Sequence, residues 1–176
     1  MFETLITHYE SPLYFGTHMA KDAGISEEKF QSIWRKMEDD RTLGKISLEK
    51  ILEIILKENH CYSERVLKML VDKRINTKKD TFNHLHEEII PMLDGLKDKG
   101  VYIGLISNCF SEEAKIIKNS ILYPYFDAIC LSYDEGIMKP DKRIFELCMK
   151  KLNVNAEECL YIGDGGSNEL DAASKV

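Results

Sequence analysis

From Glu87 onward the sequence alternates short, almost wholly apolar runs with amphipathic ones. That alternation constrains the fold more than any other feature. Val101–Ile106, Asp127–Leu131 and Cys159–Ile162 read as strands. Between them lie predicted helices over Glu87–Lys99, ended by Gly100 as a C-cap, Glu112–Asn119 and Lys142–Leu152, with a further helix starting near Ser167. A strand that is apolar throughout is buried on both faces, which is the condition of a parallel sheet covered by helices on either side. The expected fold class is therefore α/β, a Rossmann-like parallel sheet. In such sheets, sites form outside the carboxyl ends of the strands.

Residues from about Pro12 to Asn83 have a different texture, helix after helix. Ser26 with Glu27 and Glu28, then Ser47, then Ser63 supply N-caps. Apolar residues come after each at helical spacing: Phe30, Ile33, Trp34 and Met37; Leu48, Ile51, Leu52, Ile55 and Leu56; Val66, Leu67 and Leu70. Arg41–Gly44 reads as a loop between the first two helices. These stripes predict mutual packing in a bundle, with Trp34 in its core.

The residues just past each predicted strand carry chemistry. Ser107 and Asn108 come after the first, Lys139-Pro140 after the second, and Gly163-Asp164 with Glu169 after the third. Each piece alone has a bland reading as a helix cap, a loop end or a turn. In order at consecutive strand ends they bring a hydroxyl, a cation and paired carboxylates to one sheet edge. A hydroxyl and a lysine hold an anionic group, and carboxylates hold Mg²⁺ through hard oxygen ligands.

This order resembles the haloacid dehalogenase superfamily of hydrolases, subfamily IA. Leu105-Ile106-Ser107-Asn108 is similar to its motif II, Lys139-Pro140 to motif III, and Gly163-Asp164 followed by Glu169 to motif IV. The intervals are similar too, 32 residues from Ser107 to Lys139 and 25 from Lys139 to Asp164. The resemblance is tight from about Gly100 to the end. It implies that the helical half is a C1-type cap inserted in the core, giving residues 1–10 as the end of motif I and a linker, 11–84 as cap, and 85–176 as core. It further implies Ser107, Lys139 and Asp164 as catalytic groups. Ser107, Asn108, Lys139 and the cap residue Arg41 would bind substrate. Mg²⁺ would sit on Asp164, Glu169 and the backbone carbonyl of Phe2.

Motif I of this family ends the first strand as Asp-x-Asp-Gly-Thr-Leu. Thr4-Leu5 matches its tail, Phe2 stands where the second Asp would be, and the nucleophilic Asp would precede Met1. The expectation is an internal fragment of a longer reading frame, roughly 10 residues short in front and some 40–60 short behind on grounds of domain size. The first and last core strands would then be largely absent, and the chain inactive as it stands. In full-length form the resemblance implies a phosphatase of a small phosphorylated metabolite, working through an aspartyl-phosphate. Phe2 points instead to a metal-independent dehalogenase or phosphonatase-like hydrolase, because it neither gives nor takes a proton. Gly163-Asp164 is the metal-binding form of motif IV and is weighed more heavily. A non-catalytic fragment or binding module is the third reading.

The composition, 44% hydrophobic and 31% charged, is that of a globular chain. A net charge of -6 gives no electrostatic case for nucleic acid or an anionic membrane. No apolar run is long enough to cross a bilayer. Met1–Glu10 has no Lys or Arg, unlike a secretory signal. Five scattered cysteines fit free thiols in a reducing cytoplasm. His8, His18, His60, His84 and His86 have no metal-ligand spacing, and Cys109 reads as a small buried side chain rather than a nucleophile. Monomer and homodimer both stay open.

Overall fold

The computed structural model describes residues 1–7 and 10–176, so His8 lies outside the described residues. The helical part comprises α1 (Gly16–Ala23), α2 (Glu27–Lys36), α3 (Glu38–Thr42), α4 (Leu48–Glu58) and α5 (Glu64–Asp80). Ser26, Ser47 and Ser63 each precede a helix as expected, but the Ser26 side chain makes no cap hydrogen bond. Ser47 Oγ accepts from Lys50 N and Ser63 Oγ from Val66 N, each satisfying a donor that helix geometry orphans. The apolar stripes converge on one core built around Met19, Phe30, Ile51, Leu52, Ile55, Leu56 and Leu70, all fully buried. Each such side chain contributes roughly 1.5–3 kcal/mol by leaving water.

The α/β part runs α6 (Ile89–Asp98), β1 (Gly104–Ser107), α7 (Ser111–Lys118), β2 (Ala128–Leu131), α8 (Ser132–Glu135), α9 (Lys142–Leu152) and α10 (Glu169–Ala173). β1 and β2 pair in parallel, with Ser107 opposite Leu131. Side chains alternate between two cores. Leu105 and Leu131 join Leu93, Ile117 and Leu122 on one face, while Ala128 and Cys130 meet Ile144, Phe145 and Cys148 on the other. Both faces are therefore covered, as an apolar parallel sheet requires. The fold is the expected α/β, Rossmann-type arrangement with a separate helical layer.

β1 begins three residues later than its apolar run. Val101 and Tyr102 are exposed, and the Asp127 carboxylate, itself paired with Lys97 at 2.7 Å, accepts from Ile103 N at 2.8 Å before the ladder starts. The third predicted strand does not form. Cys159–Ile162 pairs with no strand among the described residues, and the sheet has two. Tyr161 packs edge-on against Phe145, but Leu160 and Ile162 stay 86% and 71% exposed. A strand is defined by a neighbour to bond with, and apolar sequence alone does not supply one. The expected loop at Arg41–Gly44 is also corrected. Arg41 and Thr42 complete α3, whose first turn is acidic as a helix N-terminus prefers, and Gly44 breaks it at φ +76°.

Candidate active site

Lys139 is the centre of the site. The side chain of Asn108, just past β1, grips its backbone at both ends: Asn108 Nδ2 donates to Lys139 O at 3.0 Å, and Lys139 N donates to Asn108 Oδ1 at 2.8 Å. With its backbone fixed, Lys139 aims Nζ at the Glu169 carboxylate and lies 3.5 Å from the Tyr161 hydroxyl. Tyr161 donates to the same Glu169 oxygen at 2.8 Å. Burial first, then Glu169, pushes the Tyr161 phenol up, so it stays a donor.

The turn after Tyr161 explains how a residue of α10 reaches this lysine. Gly165, Ser167 and Asn168 all take left-handed φ, at +86°, +54° and +51°. They fold the chain back so that Glu169 is 1% exposed against Gly163, where even a Cβ would collide with its carboxylate. Gly165 N donates to Glu169 Oε1 at 3.3 Å. Asp164 stays at the surface beside this pair, its Oδ1 accepting from Gly166 N at 3.0 Å. That hydrogen bond, then the neighbouring Glu169 and Lys139, hold its carboxyl below the usual range.

The structure thus joins Asn108, Lys139, Asp164 and Glu169, with Tyr161 as a member that the sequence reading missed. Its signal was a hydroxyl-tipped ring between two aliphatic residues, immediately before Gly163-Asp164. Ser107 is buried at the end of β1, with Oγ 3.4 Å from Asn108 O. Cys109 is 2% exposed, and burial ahead of Glu113 pushes its thiol up to about 12, so it is no thiolate at neutral pH. The Phe2 ring packs edge-on to Phe82 at 6.3 Å and lies under Lys78 Nζ at 4.9 Å. Arg41 lies elsewhere, in the seam between the two parts. It is 2% exposed, with its guanidinium 3.5 Å from the Trp34 ring and 3.9 Å from that of Phe110. Burial lowers it to about 10, against the opposing pull of Glu112. It does not hydrogen-bond any of the strand-end residues; Nη1 donates to Trp34 O at 3.2 Å, while Nη2 meets no acceptor among the described residues.

Among the described residues no three His, Cys, Asp or Glu side chains gather as a ready-made metal set. Glu169 has both oxygens engaged by Lys139, Tyr161 and Gly165, so a metal on this carboxylate would compete with those partners, while the Asp164 carboxylate lies at the surface. A surface carboxylate such as Asp164 fits Mg²⁺, which keeps several waters and takes only one or two carboxylates plus substrate phosphate.

A part-buried lysine held at the carboxyl end of a parallel sheet, with a surface aspartate beside it, is an arrangement suited to an anion. The chain belongs to the haloacid dehalogenase-like hydrolases, which it matches over residues 4–176. It is 34% identical over 84 residues to the Rhythmically expressed gene 2 protein of Drosophila melanogaster, covering 46% of this chain and 32% of that one. It is 29% identical over 89 residues to glyceraldehyde 3-phosphate phosphatase of Methanocaldococcus jannaschii, covering 49% and 39%. Its fold is similar to a wild-type HAD-family enzyme from Bacteroides thetaiotaomicron, solved with magnesium and inorganic phosphate, with TM-score 0.67, 21% identity, and 97% of this chain and 84% of that chain covered. The chain spans less than half the length of the curated relatives it matches. No helix among the described residues is long and apolar enough to cross a membrane.

Proposed function

We propose that this chain forms the cap, residues 11–84, and much of the core, residues 85–176, of a cytoplasmic Mg²⁺-dependent phosphatase acting on a small phosphorylated metabolite. The observation that carries the reading is the Asn108–Lys139 clamp beside Asp164, a fixed cation next to a surface carboxylate at one sheet edge. The phosphatase among the similar proteins and the phosphate-bound structure support it.

Lys139 carries the charge that meets the phosphoryl oxygens, and Asn108 keeps it oriented. Preset charge of this kind needs no reorganisation when phosphoryl negative charge builds up. Ser107 and the loop backbone donate to the same group. Asp164 and the Phe2 carbonyl would hold Mg²⁺, and the ion, when bound, supplies Lewis-acid polarisation of the phosphoryl group. Glu169 and Tyr161 set the position of the lysine ammonium rather than touching substrate. Arg41, at the cap–core seam, contacts the rest of the substrate when the cap opens to admit it.

The test is p-nitrophenyl phosphate hydrolysis by the full-length protein. Turnover is expected, lost with EDTA and in Asp164→Asn. Turnover indifferent to both would sink the reading. A second reading, metal-independent cleavage of a carbon–halogen bond, is favoured by Phe2, whose ring leaves no proton donor at that position. Halide release from a 2-haloacid without Mg²⁺ would select it.

A further inference from the structure

The seam between cap and core holds four buried charges that phosphate binding does not use directly. Arg74 and Lys78 lie one turn apart on α5 and are 3% and 4% exposed. Glu112 and Glu113 sit in the first turn of α7 and are 5% and 6% exposed. Arg74 Nε lies 3.1 Å from Glu112 Oε1, and Lys78 Nζ lies 2.5 Å from Glu113 Oε1. Arg74 Nη2 is 3.6 Å from the same Glu113 oxygen, and Nη1 donates to Tyr14 O at 2.8 Å.

Each carboxylate divides its two oxygens. The Oε1 atoms face α5. The Oε2 atoms hold the segment that leads from the phosphate-binding loop into α7: Glu113 Oε2 accepts from Phe110 N at 3.1 Å, and Glu112 Oε2 accepts from Ser111 Oγ at 3.2 Å. Ser111 Oγ in turn accepts from Leu48 N, at the start of α4, at 2.9 Å. The other side of the loop is tied to the sheet edge, where Cys109 N donates to Ser132 Oγ at 3.0 Å and Asn108 clamps Lys139. The loop Asn108–Phe110 is therefore strung between the sheet edge and the cap. Buried ion pairs gain little stability over apolar packing of the same shape, so four buried charges at this spot are poorly explained by stability alone.

We propose that Arg74 and Lys78 are positioning residues: through Glu112 and Glu113, cap helix α5 holds the Asn108–Phe110 loop in the form that binds a phosphoryl group. This rests on the phosphatase reading of that loop. A cap that lifts at α5 withdraws the Oε1 partners, frees the two carboxylates to rotate, and releases Phe110 N. Cap seating and phosphate affinity are then coupled.

The experiment uses the 176-residue protein, with inorganic phosphate and Mg²⁺ as the probe. Phosphate affinity is measured by calorimetry, and amide hydrogen exchange is followed at Asn108–Phe110. Arg74→Met is expected to weaken phosphate binding about tenfold or more, the scale of a lost orienting partner, and to speed exchange at Phe110 beyond that of α9. The double variant Arg74→Met/Glu112→Gln removes both charges. It is expected to regain melting temperature, having no unpaired buried charge, yet to keep the weak phosphate affinity. Recovery of affinity together with stability in the double variant would overturn the proposal. So would a single variant that melts lower but binds phosphate as the wild type does. If the wild type itself binds no phosphate, the phosphatase reading falls. Exchange then decides alone: faster exchange confined to Asn108–Phe110 in Arg74→Met sustains the coupling, and a uniform increase refutes it.

Discussion

Asn108 and Lys139 stand 31 positions apart in sequence, and the side chain of the first closes a two-point hydrogen-bonded ring on the backbone of the second. The loop after β1 and the loop after β2 are thereby one rigid unit. Asn108→Ala deletes both bonds at once. The expected cost is about 1–2 kcal/mol in urea denaturation, from two net hydrogen bonds. Asn108→Asp keeps the acceptor for Lys139 N but turns the other contact into carboxylate against carbonyl, so it is expected to be no more stable than the alanine variant.

Lys139 and Glu169 are 13% and 2% exposed at their side chains, so their pairing is little screened by solvent. Glu169→Gln keeps the shape and leaves the ammonium uncompensated. Stability is expected to fall by about 3 kcal/mol, as when one partner of a buried pair is removed. Inorganic phosphate is expected to bind tighter, because the lysine has lost its resident anion. A variant that loses stability and phosphate affinity together would argue against that competition.

Glu113 sets the acid limit of the seam. Burial opposes its ionisation, but Lys78, Arg74 and the Phe110 N–H outweigh burial and hold it at about 2, against an ordinary value of 4.5. Glu112 and Cys109 also lie near it. A carboxyl depressed on folding adds stability above its unfolded value and loses it as pH falls towards the folded one. Stability is therefore expected to drain between pH 4.5 and about 2, by on the order of 3 kcal/mol. Urea midpoints across that range should fall less steeply in Glu113→Gln.

Two glycines give opposite outcomes. Gly163→Ala places a Cβ against the Glu169 carboxylate, which is fixed by three partners. The expected loss is about 1–3 kcal/mol, that of overpacking a filled site. Gly95, inside α6, has nothing within 4 Å of an added Cβ. Gly95→Ala is expected to stabilise by about 0.5–1 kcal/mol through helix propensity. Thermal melts of the two variants check both.

Much of the architecture was legible because it is local. The caps at Ser47 and Ser63, the apolar stripes of α4 and the bounds of α9 arise from periods and hydrogen-bonding habits that span a few residues. Cys159–Ile162 shows where that logic stops. Its apolar residues fit a strand, yet a strand needs a partner, and none lies beside it among the described residues. Arg41 shows the same limit for a charge. Its place in sequence suggested a loop residue that reaches substrate, and packing between Trp34 and Phe110 buried it.

By itself the sequence determined most of the helices, the parallel pairing of two strands, and the order in which Ser107, Lys139 and Asp164 come along the chain. Only the tertiary structure decided how the charges pair: Lys139 with Glu169 and Tyr161, Arg74 with Glu112, Lys78 with Glu113. Hydrophobic period and capping are set by neighbours along the chain. The partner of a buried charge is set by which distant segments pack against it, and here those segments lie 22 to 38 residues away.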